Sequence, residues 1–146
     1  MSTTPAAGAS NTVAVTVLGL ITLLIAGVYL AIGGVLTWGG AAMANDPAAG
    51  WGPLLEVFAV LTAVLGVLFL LQGVLGLLAG WGVLKRKRWG RLLTFPLAVL
   101  AVMWGLAFQE ANSNSSIALG AAQLLYGAFA LVVLIRNGDK FSRLRI

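Results

Sequence analysis

The sequence predicts an all-α membrane protein, a four-transmembrane-helix antiparallel bundle, and three observations lead there. Hydrophobic residues make up 60% of the 146 and charged residues only 9%, with a mean hydropathy of +1.01, whereas a soluble domain carries about a quarter charged residues. Several uncharged runs reach the roughly 20 residues a helix needs to cross a hydrocarbon core of about 30 Å. The cations gather at two places, as in a chain held one way round across lipid. The apolar runs are continuous rather than alternating, which favours helices over strands, and only helices or closed barrels satisfy every backbone group in lipid.

The elements follow in order. Residues 1–12, MSTTPAAGASNT, are small, polar and uncharged, and read as a disordered cytoplasmic tail. The first span covers 13–38, where Tyr29 is the only ionisable group. Ala42, Met43 and Ala44 form an A-x-A pattern, but an apolar run of 26 residues with no preceding cation is too long for a signal sequence and reads as a retained anchor. Residues 45–53 form an outer loop punctuated by Pro47 and Pro53, and Pro53 suits a first helical position. The second span covers 54–84, with no charge from Val57 to Leu84. The third, 91–109, is the shortest in apolar content and carries Pro96 near its start; Trp89, Arg91 and Gln109 at its ends suit the headgroup region. The fourth, 116–135, contains a 19-residue apolar run from Ile117 to Ile135, about 28 Å as a helix. A glycosylation sequon at Asn114 to Ser116 lies almost at the membrane. Residues 136–146 form a basic cytoplasmic tail, leaving 13–135 as the transmembrane domain.

Charge sets the expected orientation. Lys85, Arg86, Lys87, Arg88 and Arg91 lie between spans two and three, and Arg136, Lys140, Arg143 and Arg145 follow span four. Asp46, Glu56 and Glu110 lie in or beside the other two loops, and Asp139 is the one acid on the basic side. One side therefore carries +8 and the other −3, which closes to the net +5 of the chain. Short loops rich in Lys and Arg stay cytoplasmic, so both termini and the basic turn are expected there. Trp81 and Trp89 would mark the cytoplasmic boundary, with Trp38, Trp51 and Trp104 towards the other. The cluster Lys85, Arg86, Lys87, Arg88 and Arg91 is expected to touch anionic lipid rather than nucleic acid.

Two polar positions are related by an internal repeat. Gln72 is followed by Gly76 and Lys85, and Gln123 by Gly127 and Arg136, at the same offsets of four and thirteen. With one inserted residue, Trp89, Gly90, Arg91 and Leu92 then match Phe141, Ser142, Arg143 and Leu144. This suggests a duplicated two-helix hairpin. Thirteen residues place each glutamine roughly 20 Å from the cytoplasmic end, slightly past the midplane. Buried amides there pin helix register through interhelical hydrogen bonds; the alternative is that Gln72 and Gln123, with Tyr126 nearby, line a polar site for a small molecule.

Glycine spacing predicts how the helices meet. Gly66, Gly73, Gly76 and Gly80 form one small-residue face on span two, extended by Ala59 and Thr62. Span one offers Gly19, Thr22, Ala26 and Gly33, and span four Gly120 and Gly127. Apolar burial does not drive helix association in lipid, so close backbone packing must. Span two is expected at the centre.

The strip GLLAGWGVLKRKRWGRLL, with Trp89, Gly90 and Arg91 as its Trp-small-Arg element, resembles uncharacterised small bacterial four-transmembrane-helix proteins. The resemblance implies a bacterial inner membrane and brings no activity with it. Small multidrug transporters have a similar length and helix count, but they place an essential Glu in the first span; here Thr16, Thr22, Tyr29 and Thr37 are the polar residues of 13–38. With no Cys and no His, thiolate or imidazole metal sites and the commonest neutral-pH base are missing. No metal, cofactor or catalytic constellation is expected. The function that remains is a non-enzymatic structural or accessory subunit, packing against copies of itself or against other membrane chains; the alternative is a small transporter or channel with a polar site around Gln72 and Gln123.

Overall fold

The structure, a computed structural model, describes residues 6–45, 53–109 and 114–137. The chain is all-α. Among the described residues there are four helices, α1 (Ala6–Ala44), α2 (Pro53–Leu84), α3 (Arg88–Gln109) and α4 (Asn114–Arg136), and each is long and apolar enough to cross a membrane.

Helix ends follow local chemistry. α1 begins at Ala6 and ends at Ala44, so the residues expected as a disordered tail are helical from Ala6 onward, and the helix runs six residues past Trp38. Alanine is the strongest helix former, Ala6, Ala7 and Ala9 supply that bias, and no charge interrupts 39–44. Asn45 stops α1, its side-chain amide donating to the Ala41 carbonyl at 2.8 Å. Pro53 opens α2, where its missing N–H is one that no helix would use. α3 begins at Arg88, three residues before the expected 91, and Pro96 lies inside it; there the ring removes the bond to the Leu92 carbonyl. α4 ends with Arg136 in its last turn, a favourable site for a cation. Asn137 donates from Nδ2 to the Val133 carbonyl at 2.9 Å, matching the stop at Asn45.

The helices form two compact units, Leu24–Leu77 and the pair of segments Met1–Leu23 with Leu78–Ile146. In the first, α1 and α2 run antiparallel: Gly40 lies against Ala59 and Ala63, Gly33 against Gly66 and Leu70, Leu30 against Gly73 and Ala26 against Gly76. Tyr29 and Phe69 add a tilted ring contact with centroids 5.6 Å apart. In the second unit α3 and α4 run antiparallel, with Gly105 against Gly120 and Leu124, and Gly127 against Val102 and Ala98. There the ends of α1 and α2 meet where Leu23 and Gly19 touch Gly80.

Small residues are prominent inside, beside a few large ones such as Leu18, Val83 and Leu134, and large apolar side chains cover much of the outside. Ala26, Ala59, Ala79, Ala98, Ala101 and Ala130 are almost fully buried, whereas Leu24, Val35, Leu92 and Leu125 are each more than 70% exposed. In water such exposure would mark an aggregation liability. In hydrocarbon a large side chain loses nothing by facing out, and small ones inside let backbones approach.

Candidate functional site

Three features carry the polar and packing residues: the small-residue seams, a buried hydroxyl pair, and the basic turn. On α2, a methyl added to Gly73 would meet Leu30 atoms at 2.7 Å, to Gly76 the Ala26 Cβ at 2.9 Å, and to Gly80 the Leu23 side chain at 2.9 Å. Gly66 is tighter still, closing on the Thr37 hydroxyl and backbone, and Thr37 Oγ1 donates to the Gly33 carbonyl at 2.7 Å. These four glycines therefore face α1. On α4, Gly127 abuts Ala98 and Val102 of α3, and Gly120, buried, presents its carbonyl to Gly105. Gly105 belongs to this seam although its spacing in sequence did not single it out.

The glutamines fall in different units, Gln72 in Leu24–Leu77 and Gln123 in the other. Both are half-buried. The Gln123 Oε1 is enclosed and has no hydrogen-bond partner among the described residues, an arrangement that carries a desolvation penalty without return. Tyr126 is buried and pairs instead with Thr22 of α1, the two hydroxyls 3.0 Å apart. Thr22 Oγ1 also lies 2.8 Å from the Leu18 carbonyl and donates to it. Since a hydroxyl has one proton, Tyr126 is then the donor to Thr22. This pair spans 104 residues, and no sequence signal beyond two polar residues in apolar runs connects them. Asn137, buried at the end of α4 with its Oδ1 unpartnered among the described residues, was also not singled out in the sequence.

The basic turn is tightly built. Arg86 N donates to the Val83 carbonyl at 2.9 Å and Lys87 N to the Gly82 carbonyl at 2.8 Å. Together they make the Schellman closure of α2, with Arg86 at the left-handed position usually held by glycine. Its φ is 53°. Across the turn Gly82 and Gly90 meet backbone to backbone: a Cβ on Gly82 would lie 2.5 Å from the Gly90 Cα. These two glycines let the start of α3 meet the end of α2 at backbone contact. Their sequence signal, a glycine shortly before and shortly after the cation run, is legible only once the turn is known to be this short. Lys85, Lys87 and Arg88 are exposed, with Arg86 and Arg91 half-buried. Lys85 Nζ sits 4.7 Å from the centre of the Trp81 ring, within cation–π range. The remaining charged loop and tail residues, Asp46, Glu110, Asp139, Lys140, Arg143 and Arg145, lie outside the described residues.

No family model, curated protein or solved structure matches this chain.

Proposed function

We propose that this is a non-enzymatic integral membrane protein of a bacterial inner membrane, acting as a structural or accessory subunit. It packs its helices against copies of itself or against the chains of a larger membrane complex. Both termini and the Lys85 to Arg91 turn face the cytoplasm, a reading supported by the distribution of cations.

The observation that carries the packing role is a second small-residue face on α1. Gly19, Gly33 and Gly40 meet α2, but Gly27 and Gly34 have nothing among the described residues within 4 Å of where a Cβ would stand, and Ala31 between them is exposed. A helical glycine costs about 0.5–1 kcal/mol relative to alanine. The contacted glycines recover this by close backbone approach, and a neighbouring chain would do the same for Gly27 and Gly34.

Native mass spectrometry of gently extracted membranes tests the reading. The wild-type chain is expected as an oligomer or together with other chains, and Gly27→Leu with Gly34→Leu should release it as a single chain. A lone chain in every mild extraction would refute the proposal. The Gln123 Oε1 favours one second reading, a small transporter or channel in which a solute N–H or O–H satisfies that acceptor. Solute flux in proteoliposomes that disappears in Gln123→Leu would select it.

A further inference from the structure

We propose that the turn between α2 and α3 holds the headgroup of an anionic phospholipid, its phosphate received by Lys85, Arg86 and Lys87. The inference rests on the spanning helices and is independent of the subunit reading above. Three successive residues, Lys85 to Lys87, offer donors and no side-chain acceptor. Glu56 is the one acid among the described residues, and it belongs to the other unit.

Local electrostatics leave this turn in need of an anion. Cations are favourable after the last turn of α2, but the same residues precede α3, whose positive end is stabilised by negative charge. No acid occupies the first turn of α3. Lys87, directly before Arg88, has no oxygen with which to cap that helix. Helix-end preference is thus broken by consecutive residues, the kind of local conflict that marks a functional position.

The backbone keeps the cations in place. Two hydrogen bonds close the turn, the Gly82 and Gly90 backbones meet at its base, and Arg86 stands where glycine would sit without strain. Trp81 is half exposed and, as an aromatic at a helix end, suits the headgroup layer; its ring holds the Lys85 ammonium at the same level. The phosphates of a bilayer lie at that depth, so lipid is the anion supplied there.

The test uses the full chain purified in mild detergent and titrated with dioleoylphosphatidylglycerol or dioleoylphosphatidylcholine, with bound lipid counted by native mass spectrometry. The wild-type protein should retain the anionic lipid in preference to the zwitterionic one. Lys85→Gln with Lys87→Gln should weaken that binding about 30-fold, with the helical circular dichroism unchanged, while Lys140→Gln with Arg143→Gln in the tail should leave it intact. If the double variant loses helicity, Lys87→Gln alone is read instead, with about a 5-fold loss expected. Equal retention of both lipids by the wild type, a preference that survives loss of the turn lysines, or displacement of the lipid by millimolar inorganic phosphate would each overturn the proposal.

Discussion

Replacing Gly90 with alanine should destabilise the protein even though alanine is the better helix former. A methyl at Gly90 would press on the Gly82 carbonyl carbon and lie 2.5 Å from the Val83 nitrogen, against the 3.4 Å at which ordinary contact begins, so the backbones must part there by about 1 Å. Every atom in the way is backbone, which cannot rotate aside as the tip of a leucine can. Overpacking of this kind costs about 1–3 kcal/mol, and the helix preference of alanine returns about 0.5–1 kcal/mol. The expected net loss is about 1–2 kcal/mol. Gly39→Ala is the opposite case: nothing among the described residues lies within 4 Å, and Gly39 is off the Gly27 and Gly34 face, so only the propensity gain of about 0.5–1 kcal/mol remains. Reversible unfolding in mixed micelles, followed by circular dichroism as denaturing detergent is added, measures both. The two variants should move the midpoint in opposite directions. A Gly90→Ala protein as stable as the wild type would refute the backbone-contact argument.

Three further outcomes are expected in the same assay. Arg86→Gly should raise stability by about 1 kcal/mol by relieving a left-handed residue that carries a Cβ, although one cation is lost; a fall would show that the arginine side chain holds the turn. Thr22→Val should cost more than Tyr126→Phe, because it leaves a buried Tyr126 O–H without an acceptor, about 1–3 kcal/mol, whereas Thr22 keeps its bond to the Leu18 carbonyl when Tyr126 is changed; equal losses would contradict the assigned donor. Gln123→Leu should raise the midpoint by removing an enclosed, unpartnered oxygen, and a lowered midpoint would mean that this oxygen finds a partner in the membrane.

Much of the architecture was legible because charges and prolines mark helix ends in an apolar chain. Leu84 ends α2 directly before the cations, and Arg136 ends α4, so both boundaries fall within a residue of expectation. The apolar span of α1 begins at Val13 as expected, but the helix extends beyond 13–38 in both directions, because the alanine, serine and glycine there carry no such mark and a polar-looking segment still has the local preference to be helical. The seam of Gly66, Gly73, Gly76 and Gly80 was visible from its spacing, since residues three, four and seven apart share a helix face. The Thr22 to Tyr126 pair and the Gly82 to Gly90 contact were not visible, because each depends on which turn of one helix lies opposite which turn of another. Residue type alone does not specify that register.

The bulky leucines and valines that cover the outer faces of the helices have a consequence for mispairing. Two membrane helices have few electrostatic means of recognising a wrong partner, so shape must discriminate. The bulky outer residues act as spacers: a helix approaching α1 over Leu24 or Val35 is held too far away for dispersion contacts between backbones to form. Trimming such a spacer to glycine would leave hydropathy almost unchanged yet open a competing seam. Surface leucines in this chain are therefore expected to resist replacement by smaller residues for a reason unrelated to solubility or anchoring.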